Sequence, residues 1–127
     1  MPRNYRLKNA GLPDDIYDQV WAIIRGYDRM KLEYDNMIGG SPAPADGQPR
    51  GTNHPDTTSH EAVKRADLSK KLEAIEQSYL MLPPRYAQTI WDNIVYRVPY
   101  PQEVHRSTYA RYKALFFRNI ARRMGWI

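Results

Sequence analysis

Apolar side chains recur at Ile16, Val20, Ile23, Tyr27, Met30, Tyr34 and Met37, at spacings of 4, 3, 4, 3, 4 and 3. A stripe of that period runs along one side of an α-helix, whereas the faces of a strand alternate every second residue. Held for three heptads, such a seam has to be covered by another helix. Pro13 suits a first helical turn, where a missing N–H costs nothing, and Asp14 and Asp15 complement the positive end of the helix dipole. Gly39-Gly40 supplies a stop. These signals predict one long amphipathic N-terminal helix over residues 13–38.

A second seam of the same period follows at Leu68, Leu72, Ile75, Tyr79 and Leu82. Thr58 and Glu61 have the spacing of a capping box at its start. The prediction is a helix over residues 60–82, laid against residues 13–38 as an antiparallel pair. The same seams would alternatively serve a homodimer, and the sequence leaves both open. Between them, residues 41–59 hold four prolines, two glycines and no aliphatic side chain larger than alanine, the composition of a Pro/Gly linker or surface loop.

Pro83-Pro84 breaks the second helix and opens a third, over residues 84–98, with Tyr86, Ile90 and Ile94 on its buried side. Pro99 and Pro101 end it. Ser107, a good N-cap residue, opens a last helix over residues 107–124, with Tyr109, Tyr112, Phe116, Ile120 and Met124 as its apolar stripe. Arg111, Leu115, Arg118 and Arg122 share an adjoining face, with Ala110 and Lys113 next to it. The fold class is therefore all-α. Residues 1–40 carry the N-terminal helix, 41–59 the linker, and 60–127 a helical domain ending in a helix-turn-helix-like unit over residues 84–124.

Several function classes find no support in the sequence. The chain has no cysteine, so it has neither a disulfide framework nor a thiolate metal site. His54, His60 and His105 match no metal spacing. No glycine-rich phosphate loop and no nucleophile elbow are present. Neither a cofactor, a metal nor a catalytic residue is expected, and the chain is read as a non-enzyme. No apolar run approaches the roughly 18 residues of a membrane span, and MPRNYRLKNAGLPDD lacks the apolar core of a secretory signal. A cytoplasmic protein with no membrane partner is the expectation.

Charge is what the chain distributes unevenly. Its net +5 lies in the last third, where residues 83–127 hold eight Lys/Arg against Asp92 and Glu103, a balance of +6. Seven of the eight are arginine, whose planar fork suits phosphate oxygens and guanine edges. A localised basic segment of this kind is the footprint of a nucleic-acid binder. A supporting helix, a break and a helix opening on Arg106-Ser107-Thr108 supply the parts of a helix–turn–helix reader of duplex DNA.

Over residues 60–127 the chain resembles the RinA/ArpU-type phage transcriptional regulators, whose C-terminal half is similar to the promoter-reading region 4 of sigma factors. The resemblance is carried by LPPRY before the supporting helix, by Ser107-Thr108-Tyr109 with Arg111 and Tyr112, and by the Ile120–Gly125 stretch IARRMG. It implies a sequence-specific double-stranded-DNA-binding regulator of late-gene transcription, encoded by a phage or prophage and acting in the host cytoplasm, with RNA polymerase as a second partner. It further implies base contacts from Ser107, Thr108, Ala110 and Arg111, and phosphate contacts from Arg106, Lys113, Arg118 and Arg122. One departure stands out: only five residues separate Pro101 from Ser107, where the standard motif places a full helix before the turn. Two other readings stay open, a helical protein-interaction module such as a phage-encoded inhibitor or adaptor, and a DNA-packaging component.

Overall fold

The computed structural model describes residues 8–39, 55–102 and 105–127. Among these, a 3₁₀ turn at Lys8–Gly11 is followed by helices α1 (Asp14–Arg25), α2 (Tyr27–Gly39), α3 (Pro55–Leu80), α4 (Pro84–Tyr96) and α5 (Arg106–Met124), with no strand. The all-α class holds, and no described helix is long and apolar enough to cross a membrane.

The N-terminal seam does not form one helix. It divides at Gly26, whose φ of −92° and ψ of 7° depart from helical values and separate α1 from α2. Glycine has the weakest helix preference of any residue except proline, and hydrogen bonds close on each side of it, from Gly26 N–H to the Ala22 carbonyl and from Met30 N–H to the Gly26 carbonyl. The break redirects the two halves of the seam. α1 packs on α4 and α5, whereas α2 packs on α3.

The antiparallel pairing expected for the two seams therefore holds for α2 and α3 alone. Tyr27 Oη donates to Glu76 Oε2 at 2.6 Å, and further along α2 Lys64 Nζ reaches Glu33 at 2.7 Å. Rising numbers on one helix meet falling numbers on the other. Val20, Ile23, Met30, Leu68, Leu72, Ile75 and Leu82 are all buried in the one core. Both seams are thus consumed within the chain.

Other boundaries also move. α3 begins at Pro55, inside the stretch read as linker and ahead of the Thr58 cap, because proline at a first helical position gives up no needed N–H. Residues 41–54 lie outside the described residues. α3 ends at Leu80 and α4 at Tyr96, two residues short of the expected 82 and 98. Beyond α4, Arg97 is left-handed (φ 59°), and Val98 N–H turns back to the Asp92 carbonyl at 3.2 Å, closing the helix before Pro99. Gly125 (φ 80°) ends α5 in the same conformation, and Trp126 N–H bonds the Ala121 carbonyl at 2.8 Å.

α5 is the hub, touching α1, α3, α4 and the 3₁₀ turn. Two consecutive phenylalanines, both fully buried, divide its neighbours. Phe117 stacks on Tyr17 of α1 at 5.2 Å and meets Trp21 edge-on at 5.7 Å. Phe116 meets Trp91 of α4 at 6.4 Å and Tyr79 of α3 at 6.5 Å.

Among the described residues, the Ser78 hydroxyl on α3 is fully buried and finds no hydrogen-bond partner. A buried hydroxyl loses its water without compensation, so Ser78→Ala should stabilise the fold by about 1 kcal/mol, read as a higher urea midpoint at unchanged slope. A lower midpoint would mean that the hydroxyl finds a partner in solution.

Candidate nucleic-acid interface

Because α5 is covered on most sides, little of it faces water. Ser107, Arg111 and Arg122 are exposed, and Leu115 and Arg118 are half-buried. Their spacings of 4, 4, 3 and 4 place them on one side, opposite Phe116, Phe117 and Ile120. The exposed part of the central helix thus includes a stripe along its length that carries Arg111, Arg118 and Arg122, about 22 Å from Ser107 to Arg122 at helical rise. Arg106 and Arg123 are exposed beside it.

The stripe continues onto α4 through two tyrosines. Tyr86 of α4 stacks on Tyr112 of α5, with centroids 5.3 Å apart and planes within 22°. The Arg85 guanidinium sits 5.2 Å from the Tyr86 ring centre, and that of Arg111 sits 5.3 Å from that of Tyr112. Each ring of the stack therefore has a guanidinium group beside it. Tyr109, buried beneath, stacks on Tyr100 at 4.4 Å and meets Tyr86 edge-on at 5.5 Å, which fixes the connector against both helices. Among the described residues, none of Arg85, Arg106, Arg111, Arg118 or Arg122 is in an ion pair, whereas the ion pairs present lie on α2 and α3.

The residues singled out from the sequence do not form one group. Arg106, Ser107 and Arg111 are exposed, and Thr108 and Ala110 half-exposed, in the first turns of α5. Ser107 is not the N-cap. The cap position falls at His105, with no side-chain cap bond, so Ser107 lies in the first turn. Arg118 points its Nη1 at the Ala10 carbonyl, 3.2 Å away, and so braces a turn in which Asn9 and Ala10 both have left-handed backbones. Arg122 stands at the far end, donating to Asn119 Oδ1 at 3.0 Å. Lys113 faces away from the stripe. Its ammonium lies 5.1 Å from the Trp21 ring centre and 5.9 Å from that of Phe117.

Arg85 and the Tyr86–Tyr112 stack were legible only as charge and core. The signal that could have found them is LPPRY itself, since a helix beginning at Pro84 brings Arg85 and Tyr86 into its first turn, level with the start of its partner. The connection between α4 and α5 spans residues 97–105, longer than the three or four residues of a helix–turn–helix turn. Pro99 and Pro101 bar a helix there, and Glu103 and Val104 lie outside the described residues. His60 and His105 are exposed and His54 is outside the described residues. Among the described residues no cluster of His, Asp or Glu could hold a metal ion.

Burial against Trp21 and Phe117 lowers the Lys113 pKa below the ordinary lysine value. A depressed folded-state value means that the unfolded chain holds this proton more tightly. The penalty is therefore fully present below the folded value and disappears as pH rises to the unfolded value near 10.5. Lys113→Met should stabilise the protein at pH 7, and its advantage over the parent in denaturant titrations should shrink between neutral pH and that value. An advantage independent of pH would assign the gain to packing alone.

The chain matches no protein-family model, no curated protein and no solved structure, so a function for it has to come from the chemistry of α5 and its neighbours.

Proposed function

We propose that this chain is a sequence-specific double-stranded-DNA-binding transcription regulator, encoded by a phage or prophage, with the solvent side of α5 as its DNA-facing surface. The observation that carries this reading is the basic stripe. Arginines at the exposed positions of the central helix, extended through Tyr112 and Tyr86 to Arg85, have no carboxylate partners among the described residues. Fixed guanidinium groups in a row suit phosphate oxygens, and an arginine near the start of a helix suits a guanine edge.

Ser107 and Arg111 are the base-reading residues of this proposal, with Thr108 and Ala110 beside them. Arg85, Arg106 and Arg122 hold phosphates, whereas Arg118, a phosphate candidate by the resemblance, is engaged with the Ala10 carbonyl. Lys113 is given no DNA role, because its ammonium is engaged over Trp21. The resemblance of residues 60–127 to phage regulators supports the transcriptional part, including RNA polymerase as a further partner. The chain's role here is binding, without catalysis or cofactor. A homodimer built on the heptad seams has lost its best surface, since those seams are buried within one chain. A packaging component would use the same α5 face and would differ in the DNA sequence it selects.

The deciding experiment is selection of bound duplexes from a random pool, followed by titration of the winning site at increasing salt. A promoter-like consensus is expected, with affinity falling steeply as salt rises because phosphate contacts release counterions. Enrichment of packaging-site sequences instead would move the reading to packaging, and no binding at low salt would end it. Arg111→Ala should weaken the selected site about tenfold or more while sparing random duplex. Arg122→Ala should weaken both alike and reduce the salt slope by about 1.

A further inference from the structure

Away from the basic stripe, α2, α3 and α4 meet around an open recess of about 330 Å³. Its walls include Tyr27, Asp28, Glu76, Tyr79, Leu80 and Trp91. The volume is at the small end of the roughly 300–1,000 Å³ of ligand clefts, suited to one side chain and its neighbour.

The lining has a definite chemistry. Tyr27 and Tyr79 stand edge-to-face with Trp91, at 5.3 Å and 87° and at 5.8 Å and 88°. Two carboxylates accompany these rings. Glu76 Oε2 accepts from Tyr27 Oη at 2.6 Å and lies 3.8 Å from Lys31 Nζ. Asp28 Oδ2 accepts from Tyr96 Oη at 3.3 Å and is in no ion pair among the described residues. Each carboxylate offers about four acceptor positions, so both retain capacity.

The surroundings reinforce that sign. Burial, then Glu76, holds the Tyr27 hydroxyl well above the usual tyrosine range, and Asp28 raises that of Tyr96. Both phenols therefore stay neutral donors to the carboxylates beside them. A chain of net +5 thus carries, on the opposite sign, a recess of aromatic rings and carboxylates. Rings and carboxylates together favour a weakly hydrated cation, and a guanidinium both stacks on rings and forks onto oxygens, as an ammonium does not.

The rim decides between a free cation and a polypeptide. Leu80, at the end of α3, is 71% exposed, and Tyr96, beside Asp28, is 58% exposed. Exposed apolar side chains at the lip of a charged recess give nothing to a small ion but cover the neighbours of an arginine in a chain. We propose that the recess between α2, α3 and α4 receives an arginine side chain presented by a partner polypeptide, with the guanidinium among Trp91, Asp28 and Glu76 and an adjoining apolar side chain on Leu80.

The test is titration of the full chain with acetyl-Leu-Arg-Leu-amide, following the Trp91 indole N–H in proton–nitrogen spectra. That resonance is identified by its loss in Trp91→Phe. A saturable shift is expected at Trp91 and not at Trp126. Replacing arginine by citrulline, which keeps the shape and removes the charge, should weaken binding about tenfold. Glu76→Gln retains an acceptor for Tyr27 and should weaken the arginine peptide by a similar factor with an unchanged circular dichroism spectrum. Asp28→Asn is a second variant, on the exposed side, should Glu76→Gln alter the fold. No saturable shift, equal affinity for the citrulline peptide, or indifference to both variants would overturn the proposal. Argininamide binding as tightly as the peptide would overturn its polypeptide part, leaving a small-cation site.

Discussion

Two adjacent phenylalanines on α5 set the terms for the rest of the molecule. Consecutive residues on a helix point about 100° apart, so Phe116 and Phe117 cannot share one neighbour. Phe117 is taken by Tyr17 and Trp21 of α1, and Phe116 by Tyr79 and Trp91 of α3 and α4. A helix anchored in two directions becomes the axis around which the others pack. Its buried surface is then wide, and a narrow stripe from Ser107 to Arg122, with Arg106 and Arg123 at the two ends, is left to water. The placement of the arginines on that stripe is a consequence of this packing as much as of composition.

The same packing sorts the basic residues by task. Arg118 hydrogen-bonds the carbonyl of a left-handed Ala10, and Lys113 lays its stem and ammonium over Trp21 and Phe117. Long basic side chains cover apolar surface, so Arg118 and the stem of Lys113 belong to the cohesion of the fold, although burial of the Lys113 charge works against it. Arg85, Arg97, Arg106, Arg111, Arg122 and Arg123 are the ones left facing outward. Charge counted along a sequence cannot separate these tasks, because the distinction lies in what the neighbouring helix places alongside.

Periodicity made much of this fold legible. The all-α class, both seams and the breaks at Pro83 and Pro99 follow from local rules that tertiary contacts did not override. Gly26 was also visible, yet a single glycine inside a heptad pattern is as compatible with a straight helix as with a break. The choice depended on α3 and α5 offering separate docking surfaces to the two halves of the seam. Phe117 was left out of the expected core because a one-stripe helix has no place for it, and only a helix buried on two sides does. The start of the α5 stripe was legible as a face. Its continuation to Arg85 and Tyr86 was not, because stacking of Tyr86 on Tyr112 is a contact between helices whose relative placement no spacing encodes.

Trp91 connects the two surfaces of the molecule. One of its contacts is Phe116 in the central core, and two others are Tyr27 and Tyr79 of the acidic recess. The wall of the recess is therefore also a wall of the core, and its aromatic geometry is set by the packing that positions α5. The carboxylates face outward from that wall: among the described residues Asp28 accepts from Tyr96, and Glu76 accepts from Tyr27 beside Lys31. Shape at this recess is tied to the core, whereas its charge sits at the edge. The α5 stripe divides the same way, with Tyr112 and Tyr86 interlocked and the guanidinium groups at the edge. In both places an aromatic base carries charged groups at its edge. Opposite signs thus stand on separate faces of one small fold, and at each of them like charge disfavours a wrong partner.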